Sequence, residues 1–238
     1  MKEGIIASIF WCLNIVVVRS LLQNNDVYTL AFLKSFLAGT FLFLKSEKEK
    51  IIIKDFLLLC IIGSCSTFLN YYFSYPAMKE VTLIQIAAMN ALALLIPRKR
   101  IDFYSIFVFL GCIIALQGKY TPYLFYSICV YGVGMAISQN VCMNHLQKSG
   151  LSLLFGSILF IPYIKRISFS FLQWFFFILI SVLGYGYIMH VSYKSSASNR
   201  YLNLHPIFTF LCAIFIFGES FSWYQIIGFL FVFIAIIH

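Results

Sequence analysis

Charge is what this chain has least of. Asp, Glu, Lys and Arg make up 11% of its 238 residues, where soluble domains carry roughly 25%. Only 8 of these are acidic, against 17 basic. Nearly all the carboxylates fall in breaks between apolar runs, which leaves little material for general acid–base catalysis. No H-E-x-x-H, G-x-S-x-G or phosphate-loop pattern occurs, so no enzyme, metal or cofactor is expected. The seven cysteines are odd in number and none has C-x-x-C spacing, which argues against a disulfide framework. Cys142-x-x-His145 is half of a metal site without its second half, and reads as a helix end. The apolar–polar alternation of a membrane barrel is missing too. No polar interval is long enough for a separate folded domain.

What is present is apolar: 62% hydrophobic residues and a mean hydropathy of +0.93. The runs are Gly4–Leu22, Val27–Leu44, Asp55–Tyr75, Val81–Ile96, Phe103–Gln117, Tyr123–Cys142, Leu151–Ile164, Phe169–Tyr193, Leu202–Phe217 and Trp223–Ile237. Several are close to the minimum spanning length of roughly 17 residues, and Leu151–Ile164 is shorter unless its polar flanks extend it. The fold expected is an all-α polytopic membrane protein of about ten transmembrane helices, because a backbone in lipid must bond internally. Gly4–Leu22 lacks a small-x-small cleavage site and is followed at once by another apolar run, so it reads as a span and not a signal peptide.

The net charge of +9 sits in the breaks, which points to membrane orientation and not to nucleic acid. With a cytoplasmic N-terminus, Lys45, Lys48, Lys50, Lys54, Arg98, Lys99, Arg100, Lys148, Lys194 and Arg200 fall inside. Only Lys79, Lys119, Lys165 and Arg166 fall outside. The location expected is a bacterial inner (cytoplasmic) membrane with both termini cytoplasmic.

Ten helices divide into two sets of five, 1–118 and 119–238, together one membrane domain. An odd-numbered set followed by its copy inserts upside down, the inverted-repeat layout of many secondary transporters. Ala77-Met78-Lys79 lines up with Ser192-Tyr193-Lys194, and a glycine recurs in the closing helix of each half, Gly111 and Gly228. Phe68–Pro97 and Ile188–Glu219 share a layout of apolar runs carrying amides and tyrosines.

Further residues carry a family resemblance. They are Ile9-Phe10-Trp11-Cys12-Leu13-Asn14, Leu30-Ala31-Phe32-Leu33-Lys34, and Tyr75-Pro76-Ala77-Met78-Lys79 followed by Val81, Leu83 and Gln85. A last group is Phe217-Gly218-Glu219 followed by Ile226-Ile227-Gly228. In this order the chain resembles the EamA type of the drug/metabolite transporter superfamily over nearly its whole length. The resemblance implies two inverted five-helix repeats around a central cavity opened alternately to each side. Its third-to-fourth-helix junction is similar to that of S-adenosylmethionine uptake proteins. Two family features are absent from the first half. Pro97 runs straight into Arg98-Lys99-Arg100 where a Gly-Glu turn is usual, and no proline stands near Leu94.

Lys34 is a cation near the middle of an apolar run, which points it to a cavity or bundle interior. It could pair with an anionic solute group or a helix C-terminus, while snorkelling to an interface is the plainer alternative. Trp11, Asn14 and Val18 share a helical face that could line the cavity, or pack against a neighbour. Gln85 is preferred over Asn90 as a cavity residue, and Asn70 reads as interhelical glue. Gly184, Tyr187 and His190 or Val191 share a face of the eighth helix, where His190 could couple transport to protons. Asn203 is preferred over His205, and Glu219 reads as a structural cap. Ser35-x-x-x-Gly39 and Gly132-x-x-x-Ala136 are close-packing spacings.

The function expected is secondary transport of a small polar organic metabolite, such as an amino acid or an S-adenosylmethionine-like solute. Trp11, Asn14, Lys34, Gln85, Tyr187, His190 and Asn203 are the candidate binding residues. The solute would sit among the first, third, fourth, sixth, eighth and ninth helices. The partners are that solute and the lipid bilayer, with the chain a monomer or homodimer. The competing readings are a non-transporting or degenerate membrane partner subunit and, behind it, a membrane-embedded lipid-modifying enzyme.

Overall fold

The computed structural model describes residues 2–93, 103–117, 121–194 and 204–237. Among them are ten α-helical segments in chain order, one short 3-10 turn (Ile161–Tyr163) and no strand. They are α1 (Lys2–Leu22), α2 (Val27–Lys45), α3 (Ile53–Glu80), α4 (Leu83–Ala93), α5 (Phe103–Leu116), α6 (Pro122–Ser138), α7 (His145–Ile158), α8 (171–194), α9 (His205–Phe215) and α10 (Trp223–Ile237). α1, α2, α3 and residues Phe171–Val191 of α8 are long and apolar enough to cross a membrane; the other apolar helices are shorter.

The ends of the helices follow from local chemistry. Asp26 caps α2 by accepting from the Thr29 N–H, and Thr121 caps α6 by accepting from Leu124, with Pro122 at the first turn. α7 starts earlier than its apolar run because Asn144 caps it at His145, but it also ends earlier, at Ile158, so the polar flank shifts the helix without lengthening it. α3 continues past Tyr75 through Pro76 to Glu80.

The packing is that of two inverted five-helix repeats. If each helix of the first half is exchanged for its counterpart in the second, most neighbours are preserved. α2 lies on α7 and α5 on α10, each helix on its own counterpart. α1 lies on α9 as α6 lies on α4, and α3 packs on α6 and α7 as α8 packs on α1 and α2. Small residues permit the closest of these approaches. A Cβ on Gly111 would stand 2.5 Å from the Gly228 oxygen, and one on Gly228 would stand 2.5 Å from the Gly111 oxygen. The recurring glycine of the closing helices is therefore the point where those helices touch. Gly39, from the Ser35–Gly39 spacing, meets Gly150 of α7 in the same way, and on α6 Gly134 lies against Ser66 of α3.

The same two counterpart helices, α3 and α8, are each interrupted by a π-helical stretch, Gly63–Leu69 and Phe177–Gly184. Both stretches end in the register that aligns Ala77-Met78-Lys79 with Ser192-Tyr193-Lys194. Such interruptions are rare and concentrate at functional sites. Aliphatic and aromatic side chains left exposed on the outer faces, such as Phe171, Phe215 and Trp223, make a surface suited to lipid.

Candidate binding cavity

A cavity of about 70 Å³ lies between the two halves, walled by α1, α2, α3, α4, α6 and α8. Lys34 enters it from α2 and is 2% exposed. Its Nζ donates to the Tyr75 hydroxyl at 3.0 Å. It also stands 4.0 Å from the ring centre of Tyr185, 4.6 Å from that of Tyr71 and 5.6 Å from that of Tyr75. Moving an ammonium out of water costs several kcal/mol. A charged hydrogen bond returns about 1.5–3 kcal/mol, and each desolvated ring face returns about 2 kcal/mol. The cage is thus of the right size to keep a lysine here without a carboxylate beside it.

Tyr71 and Tyr75 are four residues apart on α3, which stacks them on one face just after the π-helical stretch; their ring centres are 4.8 Å apart. Tyr185 is the first residue after the matching stretch in α8. The two interruptions therefore aim the cage from opposite halves.

Trp11 and Asn14 of α1 line the cavity with Lys34. Trp11 stacks on His205 of α9, ring centres 4.3 Å apart and planes 16° from parallel. α9 therefore backs the cavity wall through Trp11 without lining it. Asn14 is 5% exposed and its Oδ1 has no hydrogen-bond partner among the described residues. Asn70 also lines the cavity, but both ends of its amide are used: Oδ1 accepts from Ser127 at 2.6 Å and Nδ2 donates to the Ser66 oxygen. It is glue between α3 and α6.

Three expectations come out differently. Gln85 is not in the cavity: its Oε1 accepts from the Thr82 N–H at 3.0 Å, and Thr82 Oγ1 accepts from the Gln85 N–H. That is a capping box at the start of α4, and Asn90 lines the cavity instead. Tyr187 packs edge-on against Phe10, and neither it nor His190 lines the cavity; Tyr185 and Met189 do. A π-helical turn takes in one extra residue and rotates the rest of the helix by about 100°, so the face presented after residue 184 cannot be read by α-helical counting. Asn203, and the unusual junction around Pro97, lie outside the described residues. The cage tyrosines were not singled out from sequence. Their signal was the Tyr71–Tyr75 spacing on the helix facing Lys34.

At the end of the bundle opposite the N-terminus, Gly218 at φ 61° turns the chain after α9. Its N–H and that of Glu219 donate back to Ile214 and Ala213, the left-handed ending that glycine permits. Glu219 then reaches α4, accepting from the Leu83 and Ile84 N–H groups at 2.8 and 3.2 Å. Arg19 of α1 stands 3.7 Å from the same carboxylate and donates to the Val81 oxygen. The cap expected at Glu219 is present, and it acts across helices.

A family model described as the EamA-like transporter family matches residues 4–117 and again residues 119–238. No curated protein matches the chain. The two matches fall on the two halves whose neighbours interchange, and between them they span nearly the whole sequence. The chain belongs to the EamA-like transporter family.

Proposed function

We propose that the chain is a secondary transporter that carries a small polar organic metabolite across a membrane by alternating access. Family membership makes it a transporter-like integral membrane protein. The observation that supports the finer reading is the polar cavity at the seam of the two halves, carrying Lys34, Asn14 and Trp11 deep among apolar helices. Its volume of about 70 Å³ is well below the 300–1,000 Å³ or so of organic-ligand pockets. The halves must part to admit a solute, and the inverted packing supplies two bodies that can rock. A buried Lys34 favours this reading over a non-transporting subunit, whose lysine would have no cavity to face.

In this reading the protein sits in a bacterial inner membrane with both termini cytoplasmic, which the basic breaks at that end support. One chain holds the cavity, so a monomer suffices and a homodimer would duplicate it. The test is exchange in proteoliposomes loaded with amino acids or S-adenosylmethionine. Exchange above protein-free vesicles is expected, lost in Lys34→Ala and kept in Gln85→Ala, which removes only a cap. Absence of exchange for every solute in a broad metabolite panel would sink the reading.

A further inference from the structure

On the transporter reading, we infer that the Lys34 cage receives a carboxylate: the solutes carried are small carboxylate-bearing molecules, zwitterionic amino acids among them, and organic cations are excluded. Lys34 is the one formally charged side chain lining the cavity among the described residues, and no Asp or Glu joins it there. An ammonium has three N–H groups to place. The hydrogen bond described for Lys34 goes to Tyr75, and the remaining contacts of its Nζ are aromatic faces. A carboxylate oxygen is a stronger partner for those N–H groups than a ring face.

The chain's other buried lysine shows the contrast. Lys148, 6% exposed, donates to the Ser138 and Val141 oxygens at 3.1 Å each, closing the C-terminal end of α6. That is how a structural lysine is satisfied, and Lys34 has no such pair of carbonyls. Among the described residues the cavity also offers two open acceptors, Asn14 Oδ1 and the Tyr71 hydroxyl. An acceptor and a cation in one cavity complement the amine and carboxylate of an amino acid. A solute carrying only a positive charge would meet like charge and no counter-charge.

Two matched series test this with the full-length protein in nanodiscs. One is L-phenylalanine, 3-phenylpropionate and phenethylamine; the other is L-leucine, 4-methylpentanoate and isopentylamine. The carboxylate-bearing members should raise Tm in a concentration-dependent way, and the amines should not. Lys34→Met should weaken the acids about tenfold or more, the usual scale for losing a charge-assisted partner. If Lys34→Met does not fold, the wild-type comparison of acid with amine still decides. Amines that stabilise as well as the acids overturn the inference while leaving transport standing. So does a Lys34→Met protein that keeps the acids' full shift. If neither series acts and a non-carboxylate solute exchanges in vesicles, the inference falls and the transporter survives.

Discussion

At the scale of single residues, the cavity is a problem of one charge. A lysine in mid-run is costly anywhere except a polar interior, which is why Lys34 was legible from sequence alone. Its partners were not, because nothing in the spacing of tyrosines says which ones a distant helix will present. The link between Lys34 and Tyr75 predicts a coupled pair. Tyr75→Phe removes the hydroxyl that accepts from the ammonium and should cost about 1–3 kcal/mol. In a Lys34→Met background the same change should cost little, since replacing both partners by apolar groups is often near neutral. A double-mutant cycle in SDS unfolding measures this, and additive costs would mean the hydrogen bond contributes nothing. Gln85 teaches the opposite lesson. Its amide looked like a cavity residue, yet Thr82-x-x-Gln85 at a helix start is itself a capping signal. The local bond claims its Oε1 and holds the side chain at the helix start, away from the cavity.

At the scale of elements, the run pattern carried most of the fold, because hydrophobic length in a membrane specifies helices and little else. The phase of those helices was harder to read. α8 displays Tyr185 and Met189 to the cavity because the stretch from Phe177 to Gly184 winds wider than an α-helix, and no residue type announces such a stretch. The helix contacts were partly legible as recurring glycines. Gly228→Ala would push a Cβ to 2.5 Å from the Gly111 oxygen and 2.7 Å from the Ala115 nitrogen, both backbone. Overpacking of this kind costs about 1–3 kcal/mol. Gly186→Ala, where the nearest atom would be 3.5 Å away at a Leu42 side chain, should instead be neutral or slightly stabilising through helix propensity. Unfolding midpoints of the two variants check the pair. Equal changes in the two variants would mean that the α5–α10 contact does not set the effect.

At the scale of the whole molecule, the question is which end of the cavity is held shut. One carboxylate ties three parts of the chain together at the end opposite the N-terminus. Glu219 caps α4 from the turn after α9, and Arg19 brings α1 to it. Both side chains are largely sheltered, 18% and 14% exposed for Arg19 and Glu219, so this pair is worth more than the surface pair of Lys165 and Asp26, whose lysine is 74% exposed. A negative charge at a helix N-terminus in a partly buried setting contributes up to about 2 kcal/mol. Glu219→Gln removes the charge while keeping an oxygen near the amides. Losing about 1.4 kcal/mol shifts a closed–open equilibrium about tenfold toward open. Val18 lines the cavity one residue before Arg19, and a cysteine placed there in a background freed of native cysteines reports the opening. A membrane-impermeant maleimide applied on the side opposite the termini should label Val18→Cys several-fold faster once Glu219→Gln is added. Lys165→Met should leave the rate unchanged. If all three proteins label at one rate, the contact holds helix ends together without gating the cavity, and closure at that end must come from the apolar packing of α1, α4 and α9.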